Sequence, residues 1–147
     1  MDTLSPSERS LRMSKVRSRD TKPELLVRRL VHRLGYRYRL HGRGLPGTPD
    51  LVFSSRRKVV FVHGCFWHRH DCRLGDRLPK SRQEFWKEKL DGNRRRDVAA
   101  HQSLRDLGWE SHVVWECEVR DLNLVAYRLQ DFLGAPRWKV IGDVERS

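Results

Sequence analysis

Residues 63 to 72 read His-Gly-Cys-Phe-Trp-His-Arg-His-Asp-Cys, so three histidines, two cysteines and two adjacent aromatics share ten positions. Such residues can ligate a soft metal, move a proton near neutral pH, or stack on nucleic-acid bases. Cys65, His70 and Cys72 have the spacing Cys-x4-His-x-Cys, and the third cysteine, Cys117, lies far along the chain. Zn2+ favours four tetrahedral Cys and His ligands, and a closed three-Cys, one-His set is structural rather than catalytic. An odd number of cysteines in a reducing compartment argues against a disulfide framework. The plain alternative is three buried thiols and a surface histidine. If the quartet holds zinc, it ties the apolar-poor segment 64–80 to the strand expected to end at Cys117.

His63 and His68 remain beside Asp50. A carboxylate and a nearby backbone carbonyl are hard ligands that suit Mg2+, which keeps several waters and leans on substrate phosphate. A neighbouring neutral histidine can take a proton from an attacking water. Together these groups describe hydrolysis of a phosphodiester. The alternative is that Asp50 bonds its own turn and that His63 is a satisfied core histidine.

These side chains need elements to position them. "TKPELLVRRLVHRLG" predicts a helix in which Thr21 is the N-cap, Glu24 completes a capping box, Leu26, Leu30 and Leu34 recur every four residues, and Gly35 ends it. "YRYRL" (36–40) alternates like a strand, and "HGRGLPGTP" (41–49) is a loop. "DLVFSSRRKVVFVH" predicts a hairpin. A turn centred on Arg56 pairs 54 with 58, 52 with 60 and 50 with 62, so Asp50 faces Val62 with His63 next in line. Residues 81–108 predict a helix capped by Ser81 and closed by Gly108, with Gly92 a place where it could split. "WESHVVWEC" predicts a strand, and "NLVAYRLQDFLG" a last helix with Leu122, Val125, Leu129 and Phe132 on one face. Helix, three strands, helix, strand, helix predicts a mixed α/β domain with a central sheet.

The 147 residues suit one domain, and 31 Lys plus Arg against 19 Asp plus Glu leave a formal charge of +12. That excess, accompanied by five Trp and five Phe, points to a polyanion that offers bases to stack on, hence nucleic acid. No long apolar run, signal peptide or anchoring amphipathic helix is evident, so no membrane partner is expected and the expected compartment is the bacterial cytoplasm. Residues 1–20 carry Arg9, Arg12, Lys15, Arg17 and Arg19 and predict an arm that orders on phosphates. The folded domain is expected over 21–134, followed by a loosely held tail, 135–147.

"LPGTPD", "VVFVHGCFWHRHDC", "EFWKEK", "RRRD", "LGW" and "VVWECE", with "RMSKVRSRDTKPE" upstream, resemble the very-short-patch-repair (Vsr) family of DNA mismatch endonucleases. The resemblance runs from about Met13 to Glu118. It implies a restriction-endonuclease-like α/β fold, with a central mixed sheet flanked by helices and a structural zinc site. It implies nicking of one strand 5′ of the mismatched T in T·G pairs, which arise by 5-methylcytosine deamination and feed very short patch repair. Carried over by residue, Asp50 resembles the Mg2+ aspartate and Val62 the residue whose carbonyl helps hold Mg2+. His68 resembles the general base and His63 the second active-site histidine, while Glu24 and Asp97 match supporting acids. Glu24 keeps its helix-capping role as an alternative, and Asp97 a pairing with one of Arg94, Arg95 and Arg96. Cys65, His70, Cys72 and Cys117 match the Zn2+ set. Phe66, Trp67 and Trp86 match aromatics inserted beside the mismatch, and Met13 a residue entering from the other groove. The usual nuclease signature has an acidic-x-Lys on the second strand, whereas Phe61-Val62-His63 stands here.

The implied partners are double-stranded DNA with a T·G mismatch and mismatch-repair proteins, with the protein on the nucleoid when it acts. One nick needs one active site, so a monomer is expected. Arg17 and Arg19 are expected to clamp phosphates. Two rivals stand beside this: a zinc-stabilised DNA-binding module without catalysis, and a related nicking or restriction enzyme with another substrate.

Overall fold

The computed structural model describes residues 20–73, 75 and 77–136. Met13, Arg17, Arg19, nearly all of the 1–20 arm and the tail from 137 lie outside the described residues.

The elements follow the expected order: α1 (Lys22–Arg33), β1 (Arg39–Leu40), β2 (Leu51–Phe53), β3 (Lys58–His63), α2 (Gln83–Asp106), β4 (Glu110–Trp115) and α3 (Leu122–Leu133). They form a four-stranded sheet in the order β1-β2-β3-β4. β1, β2 and β3 pair antiparallel, whereas β3 and β4 are parallel and therefore need the long crossover that α2 supplies. The fold is thus the expected mixed α/β sheet flanked by helices.

Strand alternation divides the core into two layers. Leu51, Phe53, Val60 and Val114 pack on one face against Val27, Leu30 and Val31 of α1 and Val125, Leu129 and Leu133 of α3. Val52, Val59 and Phe61 pack on the other face with Leu104 of α2 and Trp109. Gly47 of the "LPGTPD" loop closes the second layer. Its φ is +76°, and an added Cβ would come within 2.9 Å of Ala100 on α2 and 3.1 Å of Phe61.

Several expectations need correction. The 36–40 strand shrinks to Arg39–Leu40, because Tyr36 and Tyr38 turn edge-on to Phe53 at 6.4 and 6.2 Å. The hairpin register is one residue off: Leu51 pairs Val60, Val52 pairs Val59 and Phe53 pairs Lys58. The cause is a loop of residues 54–57, a 3-10 turn ended by Arg57 at φ 57°; an even-numbered loop closes on an odd register. Ser81 does not cap α2. The helix starts at Gln83 behind a left-handed Arg82 with no side-chain cap bond, and the Arg82 guanidinium lies 4.1 Å from the Phe85 ring centre. Gly92 does not split α2, which runs unbroken. Cys117 lies in the 3-10 turn Glu116–Arg120 rather than in β4. On α3, Leu133 is buried while Phe132 is only partly so.

The hairpin turn ties both later helices to the sheet. Arg56 donates to the carbonyls of Leu133 (2.6 Å) and Ala135 (2.9 Å), and Lys58 to that of Phe132 (2.5 Å). Arg57 donates to the Leu107 carbonyl beyond α2 at 3.0 Å, with its guanidinium over Trp109. Cations at helix C-termini are each worth about 0.3–1 kcal/mol.

Candidate active site and thiol cluster

A cleft of about 590 Å³ opens beside the N-terminus of α1, and its lining includes Glu24, Asp50, Val62, Phe66, Trp67 and His68. Its acidic wall comes from α1 and the residue before β2. Asp50 Oδ2 accepts the Val62 N–H at 2.6 Å. The expected Asp50–Val62 proximity is therefore real, but a side chain makes it rather than ladder pairing. Burial and a hydrogen bond with Glu24 push the Asp50 carboxyl up to about 8, against the lowering effect of the Val62 N–H.

Glu24 takes the expected helix-capping role and also lines the cleft. Its N–H donates to Thr21 Oγ1 at 3.4 Å, while its Oε2 accepts from the Asp20 N–H at 2.8 Å, so the capping box closes one residue early. Its carboxylate is 2% exposed, meets the Arg28 guanidinium, and lies 3.6 Å from His41 Nε2. The buried Glu24 and half-buried Asp50 carboxylates offer oxygen donors of the kind a hard divalent cation takes.

The histidine wall comes from the 63–72 segment and α2. His68 Nδ1 and Asp97 Oδ2 are 2.5 Å apart. The rings of His63 and His68 stack with centroids 3.7 Å apart and planes 5° apart. His63 corrects an expectation. Alternation sends it to the α2 side with Val59 and Phe61, away from Val62, and among the described residues it is not part of the cleft wall. It is 6% exposed, and burial, with the charges of His68 and His101, lowers its pKa to about 2.

Cys65, His70, Cys72 and Cys117 converge, with ligand atoms all within 4.8 Å of one another. His70 Nδ1 is 3.6 Å from Cys65 Sγ and 3.5 Å from Cys117 Sγ. Tetrahedral ligands at the usual metal–sulfur and metal–nitrogen lengths lie about 3.6 Å apart, so these separations suit one ion. His70 is held by stacking on Trp115, with centroids 4.1 Å apart. Burial raises the Cys65 and Cys117 thiols.

The expected aromatic wedge does not project. Trp67 and Trp86, 8% and 5% exposed, pack with Leu90, and Phe66 and Leu78 lean on them. The segment had looked too apolar-poor for this, but α2 brings Trp86 and Leu90 beneath it. Phe66 and Trp67 still present part of their surface to the cleft.

Several contributors escaped the sequence. Asn93 is buried, and its Nδ2 donates to the Trp67 carbonyl at 3.1 Å, fixing the backbone beside His68. His101 Nδ1 lies 2.9 Å from Ser111 Oγ behind His63. Glu116 Oε1 accepts the Cys65 N–H at 3.3 Å and also lines the cleft, linking the thiol cluster to the site. Asn93, Asp97 and His101 recur every four residues, the signal that would have found them on one face of an unbroken helix.

The family described as "DNA mismatch endonuclease Vsr" matches residues 1–74. The Type II nicking enzyme V.XorIIP of Xanthomonas oryzae pv. oryzae is 53% identical over 132 residues, covering 90% of this chain and 96% of the relative. V.NmeAIP of Neisseria meningitidis, also a Type II nicking enzyme, is 42% identical over 128 residues, covering 87% of this chain and 91% of the relative. The DNA mismatch endonuclease Vsr of Escherichia coli K12 is 40% identical over 119 residues, covering 81% of this chain and 76% of the relative. With that similarity spread across the elements that build the cleft, the chain belongs to the Vsr family of DNA endonucleases.

Proposed function

We propose that this endonuclease nicks one strand of duplex DNA on the 5′ side of the mismatched T in a T·G pair, with Mg2+ as cofactor, and so starts very short patch repair. The observation that carries this is one cleft lined both by the Asp50–Glu24 carboxylates and by a histidine whose other nitrogen is held by Asp97. Asp50 and the Val62 carbonyl would hold Mg2+, with Glu24 in support. When bound there, the ion neutralises charge on the scissile phosphate and acidifies water. His68 acts as general base. Asp97, bonded at Nδ1, keeps Nε2 as the proton-accepting nitrogen and steadies the imidazolium that forms. The thiol set suits structural Zn2+, which fixes the loop carrying His68. Phe66, Trp67 and Trp86 would form the aromatic support for the duplex, the first two through the surface they present to the cleft. A wobble pair stacks poorly, so unstacking beside it costs less than in paired DNA. Met13, Arg17 and Arg19 serve as arm contacts to DNA, and the protein acts as a monomer.

No helix among the described residues is long and apolar enough to cross a membrane. Several relatives are known as nicking enzymes with no mismatch in their names, so the substrate is the part to test. Labelled T·G and fully paired duplexes are incubated with Mg2+. Nicking of the T·G duplex alone, lost in Asp50→Asn, is the expected result. Equal nicking of the paired duplex would favour a broader nicking enzyme, and binding without cleavage a pure binding module.

A further inference from the structure

We propose that His63 is a positioning residue, a buried aromatic platform that fixes the ring plane of His68, and that it neither gives nor takes a proton in the reaction. This rests on the proposed role of His68 as base. One hydrogen bond, His68 Nδ1 to Asp97, anchors a point on the ring and leaves the plane free to rotate about it. A parallel ring 3.7 Å away removes that freedom, and the two constraints together define where Nε2 points. His63 is itself fixed, as the last residue of β3, paired with Trp115 of β4. Phe61 and Trp115 wall it in, each with its ring centre 5.3 Å away.

The surroundings of His63 are wrong for proton transfer. It does not line the cleft among the described residues, and its Nδ1 is buried with no hydrogen-bond partner. A group that exchanges protons with substrate needs a hydrogen-bonded path to it. A group that only stacks needs a flat face, and the face toward His68 is the one on offer. The chain thus uses the period of two in β3 to separate neighbours. Val62 faces the acidic wall, and His63 turns to the opposite side of the sheet to support the base from behind.

The experiment compares His63→Phe, His63→Gln and His68→Ala in the full chain, by single-turnover nicking of a T·G duplex with Mg2+ across pH. Phe keeps a flat ring of similar size without nitrogen, whereas Gln keeps polar atoms without the ring. The expected result is that His63→Phe stays within about tenfold of the unmodified rate, the worth of an altered ring contact. Its pH profile should keep the unmodified acidic limb. His63→Gln should fall about 100-fold in rate with substrate affinity unchanged, the cost of a misplaced catalytic group. A folded His63→Phe that is as inactive as His63→Gln overturns the proposal, because the ring nitrogen is then required. A His63→Gln that nicks normally also overturns it. If Gln at 63 prevents folding, judged by circular dichroism, the rate of His63→Phe alone decides. Activity surviving His68→Ala would overturn the base assignment instead, so the two failures are distinguishable.

Discussion

The two walls of the cleft are built on opposite electrostatic terms. On the acidic wall, the half-buried Asp50 lies beside the buried Glu24, and the Asp50 carboxyl is pushed up to about 8. On the histidine wall, His68 and Asp97 complement each other at 2.5 Å, His63 backs the ring, and Asn93 holds the adjoining backbone. The first wall is unfavourable by itself and would become favourable with a divalent cation bound there. In the second, the His68–Asp97 pair is already formed before anything binds. Preorganisation suits a base, whose geometry must be ready, while stored repulsion suits a cation site, whose occupant removes it.

The sharpest way to break this contrast is Asp50→Asn. Nicking should be lost by about 10³-fold or more, yet the metal-free protein should become more stable. A raised carboxyl contributes stability that is complete below its unfolded value of 3.8 and is lost as pH climbs toward 8. Replacing the ionisable carboxyl should therefore raise stability at pH 7.5, read as a higher Tm in EDTA. A lower Tm would mean that the acidic wall is not in conflict.

Asp97→Asn tests the other wall. The rate should fall by about 10²–10⁴-fold as His68 loses its tautomer and its counter-charge. Stability should change little, since the pair is partly exposed, with Asp97 at 25%. A large drop in Tm with a modest change in rate would make the pair structural. Next in size is Arg28→Met, which strips the buried Glu24 of its guanidinium partner. Leaving a buried charge unpaired costs about 3–5 kcal/mol, and added Mg2+ should recover part of it in thermal melts. No recovery would detach Glu24 from the cation site.

Cys72→Ala should remove stoichiometric zinc and destabilise the 63–72 segment, whereas His68→Ala should keep the zinc. Loss of zinc in both would merge the two histidine roles that the geometry separates. The smallest expected effect is at His112, which lies on the α3 side of the sheet, stacked on Phe132 and near Glu118 and Arg128. Burial lowers its pKa, so its contribution is present above the ordinary value of 6.5 and fades as pH falls below it. His112→Phe should flatten the decline of Tm between pH 7 and 5, by under about 1 kcal/mol.

The two walls were not equally legible. Glu24 and Asp50 announce themselves locally, the first by a cap motif and the second by a loop rich in Gly and Pro. The thiol quartet was legible because it uses every cysteine. Of the supports of His68, Asp97 is matched by the resemblance, but Asn93 and the placement of His63 are not legible, for two physical reasons. Gly92 reads locally as a break, which hides the 93-97-101 face; tertiary packing of Trp86, Leu90 and Leu104 keeps α2 whole across it. The register was placed one residue off, because a turn's centre cannot be read from a run such as Ser-Ser-Arg-Arg-Lys. Treating His63 as simply next in line then put it on the wrong side of the sheet. The aromatic trio misled in the other direction: its burial depends on a helix that arrives from elsewhere in the chain.

The hairpin turn at 54–57 is short and exposed, the sort of place where tags and insertions are ordinarily accommodated. Here, three consecutive basic residues, Arg56, Arg57 and Lys58, grip the carbonyl ends of two separate helices. The tip behaves as a rivet through three layers. An engineer labelling this enzyme should leave it untouched, because one extra residue there would loosen α2 and α3 together and, through α2, the histidine wall at the far end of the molecule.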